Sequence, residues 1–364
     1  MASSKKTIST AIENDDRHGG CMRKWEQSLL EGQVIPACPL ALTSAGDWCS
    51  RYQKALIRYY LAAGAGGLAV GVHTTQFEMR DHGLYEPVLK AVSDVLNQSQ
   101  SIDSGFIRVA GLCGSRRQTL DEARLSQDMG YHLGLLSPSG LKDLTEGDLI
   151  QHTEEVAQIM PVFGFYLQPA VGGRTLSFDY WRRLVQIDNL KAIKIAAFDR
   201  YQTIEVLRAV EESNRLDLAI YTGNDDNIIA DLVAPINLRE TKPTRWMSGG
   251  LLGQWAVWTR QAVRLLEEIN KSRQKEKVDR RFLFENLRLT DVNSALFDAR
   301  NGFKGCVAGI NEVLYRQGLL PSSRCLNDSE TLSPGQSEEI DRVYDYGAEE
   351  NRWIQENLQR WLRD

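Results

Sequence analysis

The chain has 364 residues, with 43 Lys and Arg against 48 Asp and Glu for a net charge of −5. That mildly acidic balance argues against a nucleic-acid-binding protein, which carries a basic face. No apolar run approaches the roughly 20 residues of a membrane span, and 42 % hydrophobic with 25 % charged residues suits a water-soluble chain that buries a large core without disulfide or metal staples.

The first twenty residues are rich in Ser, Thr and charge and lack an apolar stretch, so they read as a partly disordered extension rather than a secretory signal. From Val34 onward, short apolar runs alternate with helical patterns. The runs are VIPACPLAL (34–42), GLAVGV (67–72), IRVAGL (107–112), HLGLLS (132–137), GFYL (164–167), AIKIAAF (192–198), LAIYTG (218–223) and GGLLG (249–253). Helical patterns between them cover 48–63, 85–96, 119–129, 146–159, 177–186 and 201–212. Strands buried on both faces lose the polar/apolar alternation and read in this way. Eight such units in series predict an α/β fold, a (β/α)8 TIM barrel, in preference to an open doubly wound sheet. Beyond Trp255 the pattern turns helical to the end. The predicted layout is therefore an N-terminal extension (1–32), a barrel (33–260) and a C-terminal helical region (261–364).

The six cysteines, Cys21, Cys38, Cys49, Cys113, Cys306 and Cys325, include no C-x-x-C pair. They read as reduced thiols of a cytoplasmic protein. The five histidines show no ligand spacing, so neither a catalytic metal nor a cofactor is expected. GAGG at 64–67 precedes a strand rather than following one, which excludes a dinucleotide fingerprint.

Reacting groups in such a barrel lie at the C-terminal strand ends. Lys194 interrupts an apolar strand and shares its face with Ala192 and Ala196, because strand side chains alternate. Facing inward, it loses hydration and its pKa falls toward that of a neutral, nucleophilic amine; facing the rim, it is an ordinary solvated lysine. Tyr166, closing the preceding strand, suits a proton shuttle or core packing. Thr74 and Thr75 offer hydroxyls for a carboxylate or form a simple turn. Asp225 and Asp226 suit substrate hydroxyls, with helix capping as the alternative for Asp226.

Taken in order, these segments resemble the dihydrodipicolinate synthase / N-acetylneuraminate lyase family of class I, Schiff-base aldolases. VIPACPLALTSAGD resembles the opening strand and turn, GAGGLAVGVHTTQFE the Thr-Thr carboxylate site, FYLQP the Tyr-x-x-Pro segment and LKAIKIAAFD the Gly-Ile-Lys segment. YTGNDD, with Gly223, is similar to the seventh-strand Gly-x-Asp segment, and Tyr166 and Lys194 stand at the family's spacing. The resemblance implies that Lys194 forms an imine with pyruvate or another 2-oxo acid and that carbon–carbon bond formation or cleavage follows through an enamine. It further implies that Tyr166 and Thr74 relay protons, that Thr74 and Thr75 hold the carboxylate, and that Gly223, Asp225 and Asp226 meet the substrate. A homo-oligomer, dimer or tetramer, is also implied. Three departures argue against a true dihydrodipicolinate synthase. The arginine expected after Tyr-x-x-Pro is displaced to Arg174, LLSPSGLKD lacks a relay tyrosine, and HTTQF places Gln76 and Phe77 where they reshape the pocket wall. A sugar-acid dehydratase or hydratase of the same superfamily and a non-catalytic binding barrel are the alternative readings.

Overall fold

In a computed structural model the described residues are 22–363, apart from 100–104, 142, 241–243 and 276. The disorder expected of the first twenty residues, and Cys21, lie outside them. All eight expected strands are present: β1 (Val34–Pro36), β2 (Gly67–Val70), β3 (Ile107–Leu112), β4 (Leu133–Leu136), β5 (Val162–Leu167), β6 (Leu190–Ala196), β7 (Ala219–Thr222) and β8 (Gly249–Leu252). Every pairing is parallel, in the order β1-β8-β7-β6-β5-β4-β3-β2. The seam closes where the Cys38 amide donates to the Ala69 carbonyl at 2.8 Å. The fold is a (β/α)8 TIM barrel.

Strand alternation sorts the apolar side chains into two cores. Ile35, Val109, Leu135, Phe163, Ala192 and Tyr221 fill the barrel, whereas Val70, Ile193, Ile195 and Ile220 pack outward against the helices. The floor is sealed by α1 (Lys24–Glu31), which lies inside the stretch assigned to the N-terminal extension. Trp25 and Leu29 of α1 join the interior cluster. The Trp25 ring stacks on His132 with 5.2 Å between centroids, and Tyr221 donates its hydroxyl to the Leu29 carbonyl at 2.9 Å.

The outer layer comprises α2 (Ser50–Ala63), α3 (Tyr85–Gln98), α4 (Arg116–Asp128), α5 (Glu146–Ile159), α6 (Phe178–Leu184), α7 (Arg200–Ser213) and α8 (Ile228–Val233). The last of these has only six residues, too few to leave a periodic signature in the sequence. The tail adds α9 (Thr259–Arg273), α10 (Arg281–Leu296), α11 (Cys306–Arg316), α12 (Gln336–Val343) and α13 (Ala348–Trp361). The long helix expected from Trp255 is interrupted at Trp258, whose φ of 53° is left-handed. A second interruption separates α10 from α11, with positive φ at Asp298, Gly302 and Phe303. That break carries Phe297 and Phe303 over the open end of the barrel.

Two buried charges fasten the layers. Glu350 of α13 accepts the Arg260 and Gln261 amides of α9 at 2.8 Å each and the Tyr59 hydroxyl at 2.8 Å. It thereby caps from a distance a helix whose own Trp258 cap supplies no side-chain bond. Arg80 pairs with Glu122 through contacts of 2.7 and 2.9 Å and donates to the Gly111 carbonyl at 2.9 Å. This pins the turn after β2 to β3 and α4.

Candidate active site

Lys194 sits inside β6 and is 8 % exposed. Its neighbours on the same face, Ala192 and Ala196, belong to the barrel interior, so the lysine points inward as the alternation of the strand requires. Lys191, three positions earlier, is half-buried. The Lys194 Nζ lies 4.5 Å from the centroid of the Phe165 ring. Gly223, at the end of β7, makes room for the lysine: a Cβ built there stands 2.5 Å from Lys194 Cε and 2.9 Å from Ala196 Cβ. Burial removes water from the ammonium and lowers its pKa from 10.5 to about 8, and the Asp225 carboxylate partly opposes the shift.

A cavity of about 60 Å³ surrounds this amine. That is a small space, suited to a few waters or one compact molecule. Polar groups reach it from four strand ends: Thr74 and His73 after β2, Gln168 after β5, Lys194 of β6 and Asp225 after β7. Leu167, Val171 and Phe198 form much of the apolar wall, and Phe297, Phe303 and Cys306 close it from the C-terminal region. Phe198, with a φ of 51°, meets Phe303 edge-on at 5.6 Å.

Asp225 is 9 % exposed. Its Oδ1 accepts the Gln254 amide at 3.2 Å, and its carbonyl accepts from Nδ2 of Asn293 on α10 at 2.6 Å. Loss of hydration raises its pKa from 3.8 to about 7, and Lys194 works against the rise. His73, near Lys194, is held down to about 4 by burial and by that cation, so its imidazole is neutral near pH 7.

Several expected site residues lie elsewhere. Tyr166 is in the cluster outside the barrel. Its ring packs 5.0 Å from that of Trp181 and its hydroxyl donates to Gln202 Oε1 at 2.7 Å. The reason is register. Phe165, not Tyr166, pairs with Lys194, and Tyr166 pairs with the outward Ile195, beyond a register shift at Val162/Phe163. Thr75 is fully buried and already bonded. Its hydroxyl donates to the Cys38 carbonyl at 2.7 Å and accepts the Gly71 amide at 3.0 Å, while its own amide donates to Val72 at 2.9 Å. The structure therefore brings Thr74, and not Thr75, to the cavity. Asp226 is exposed, and the helix after it is capped at Asn227, so the capping role is not realised either.

The departures from the family pattern have structural counterparts. Gln76 has a φ of 69°, a conformation for which glycine is the usual residue. Its side chain turns to the C-terminal region, where Oε1 accepts the Leu326 amide at 2.5 Å, and Phe77 packs against His73 at 5.9 Å. Neither lines the cavity, contrary to the expected reshaping of its wall. Arg174 donates to the Leu144 carbonyl at 2.7 Å and is likewise absent from the lining.

Sequence reasoning missed Phe165, Gln168, Phe198 and the closing group Phe297, Phe303 and Cys306. Phe165 escaped notice because a register shift between β5 and β6 sets its inward face. The closing group gives no local signal, because a loop between distant helices brings it over the barrel.

Known proteins agree with this architecture. A solved dihydrodipicolinate synthase from Oceanobacillus iheyensis superposes with a TM-score of 0.71 at 16 % identity, over 89 % of this chain and 99 % of that one. An N-acetylneuraminate lyase from Fusobacterium nucleatum, solved with pyruvate, gives 0.69 at 14 % identity, over 88 % and 99 %. The 4-hydroxy-tetrahydrodipicolinate synthase of Moorella thermoacetica is 27 % identical over 214 residues, 56 % of this chain and 66 % of that protein's length. The model of the Dihydrodipicolinate synthetase family matches residues 31–234, more than half of the chain, and the chain belongs to that family.

Proposed function

We propose that the protein is a lyase of the class I aldolase type that forms a Schiff base between Lys194 and pyruvate or another small 2-oxo acid. The observation that carries this reading is a single amine, buried in a cavity of about 60 Å³, with its pKa lowered to about 8 by burial. A useful fraction of such a lysine is neutral at physiological pH, as attack on a ketone requires. In this reading the Thr74 hydroxyl, on the cavity wall, receives the carboxylate, and the small cavity suits a compact 2-oxo acid. The acceptor or leaving fragment then lies on the side of the cavity lined by Phe198, Phe297 and Phe303.

A true dihydrodipicolinate synthase is disfavoured, since Arg174 is tied to the Leu144 carbonyl and supplies no cation for a second carboxylate. The homo-oligomer expected from the family belongs to the same reading. The decisive experiment is borohydride reduction in the presence of pyruvate, followed by intact mass and peptide mapping. The expected result is one adduct, carried by Lys194 and absent from Lys194→Ala. A wild-type protein that forms no adduct with any small 2-oxo acid refutes the reading.

A further inference from the structure

We propose that Asp225 is the catalytic acid–base partner of Lys194, doing the work that a strand-end tyrosine was expected to do. The proposal rests on the Schiff-base reading above and begins from a geometric gap. Tyr166 is turned to the outside of the barrel, held by Gln202 and Trp181. Its inward neighbour Phe165 presents an aromatic ring to the ammonium and has no proton to give. Among the described residues, no tyrosine lines the cavity.

Four lining side chains besides Lys194 carry a transferable proton: His73, Thr74, Asp225 and Cys306. Burial and the neighbouring lysine keep His73 neutral. The Cys306 thiol is pushed well up by burial, with the nearby acids Glu330, Asp225 and Asp298 adding to the rise. An alcohol such as Thr74 is a still weaker acid. Asp225 differs from all three. It is buried in the wall of the same cavity as the amine, held by the Gln254 amide on one oxygen and fixed through its carbonyl by Asn293. The charged or titratable groups around it are Lys194 from β6, Asp226 next in the chain and Cys306 from α11. Its burial holds the carboxyl near the point where acid and base forms are both accessible, which suits proton transfer in both directions.

The chemistry balances as follows. Neutral Lys194 Nζ attacks the keto carbon, a C–N bond forms and the carbonyl π electrons move to oxygen. The acid form of Asp225 gives its proton to that oxygen and recovers one from the nitrogen, leaving a neutral carbinolamine. A second donation from Asp225 to the hydroxyl expels water and leaves an iminium beside an aspartate. That aspartate then removes a proton from the carbon next to the iminium, giving the enamine and restoring the acid.

The reactive arrangement, neutral amine with neutral carboxyl, contains the same number of protons as the doubly charged one. The pair therefore titrates as one unit. At low pH the amine is protonated and cannot attack. At high pH the acid proton is gone. Imine formation is expected to follow a bell, because burial lowers the lysine and raises the carboxyl toward the same range.

The test measures the rate of borohydride-trappable adduct formation between the full-length protein and pyruvate across pH 5.5 to 9.5, for wild type, Asp225→Asn and Tyr166→Phe. Asparagine keeps an oxygen to accept the Gln254 amide and removes the carboxyl that gives and takes the proton; loss of its charge also lowers the Lys194 pKa further, which leaves the amine no less neutral. Asp225→Asn is expected to trap on the order of 100-fold more slowly or worse and to lose the high-pH limb. Tyr166→Phe is expected to keep the wild-type bell. If Asp225→Asn traps within a few-fold of wild type with the bell intact, the proposal is overturned while the Schiff-base reading stands. If wild type forms no adduct, the reading itself has failed. Should Asp225→Asn not fold, the wild-type profile decides: a rate that rises with pH to a plateau, without a high-pH limb, overturns the role of Asp225.

Discussion

Adding one methyl group at Gly223 tests whether the position of Lys194 is held by packing. Gly223 does not have a left-handed φ, so alanine there brings no backbone strain. Its Cβ would stand 2.5 Å from Lys194 Cε, 3.0 Å from Lys194 Cγ and 2.9 Å from Ala196 Cβ. Carbon atoms rest at about 3.5–4.0 Å, so the lysine stem must retreat by roughly 1 Å. Gly223 is also bound through its amide to the Ile195 carbonyl at 2.6 Å, so β7 cannot move away without breaking a ladder bond. Displacing a reacting group by about 1 Å costs on the order of 100-fold in rate, about 2.7 kcal/mol of barrier. The overpacked core loses a further 1–3 kcal/mol or so of stability. The assay is the second-order rate of pyruvate adduct trapping, read beside a urea denaturation curve. Gly223→Ala is expected to fold, with a lower denaturation midpoint, and to trap about 100-fold more slowly. Trapping at the wild-type rate in a folded Gly223→Ala protein would show that the lysine is not held where this packing puts it.

Other consequences can be measured separately. Thr74→Val removes the hydroxyl assigned to the carboxylate and is expected to weaken pyruvate capture about tenfold, roughly one hydrogen bond to a charged group, with Lys194 still forming the adduct at saturating pyruvate. At Gln76, alanine loses the bond to Leu326 and retains a φ of 69°, whereas glycine relieves the backbone. Gln76→Ala is therefore expected to be less stable than Gln76→Gly by about 1 kcal/mol or more in denaturant titrations. Glu350→Gln keeps one acceptor oxygen, for Tyr59 and Arg260, and turns an amide donor against the Gln261 amide. It is expected to cost about 1–3 kcal/mol, visible as a lower melting temperature by differential scanning calorimetry.

The parts of this molecule that could be read from its sequence are those whose signal is local. Parallel strands buried on both faces are short and nearly all apolar, so all eight stood out, and a lysine between Ile193 and Ile195 announced itself by contrast. The small residues at 192 and 196 correctly indicated the side of the strand on which that lysine had room. The cavity mouth was not legible. Phe297 and Phe303 reach it from a break between α10 and α11 whose cause is positive φ at Asp298 and Phe303, a tertiary choice that helical periodicity does not encode. Thr75 misled for another reason: a buried hydroxyl in a tight turn has backbone partners to satisfy, and here Cys38 and Gly71 claim it before any ligand can.

Tyr166 shows the limit most sharply, because spacing and face are different quantities. Its distance along the chain from Lys194 fits the family, yet side chains in a strand alternate, and a slip of one residue sends every one of them to the opposite face. The register shift at the start of the β5–β6 pairing has that effect here: it pairs Phe165 with Lys194 and Tyr166 with Ile195. A motif match can therefore persist while its chemistry moves. The interior position falls to a residue that shields the amine, and the phenol becomes part of the packing between β5 and Trp181. The imine chemistry proposed for this site requires a proton carrier on the inner face. The proposal gives that part to Asp225, which follows the next strand, has its acidity weakened by burial and is steadied by α10 from the C-terminal region. The helical tail then does more than cover the barrel: through Asn293 it positions the carboxyl on which turnover would depend.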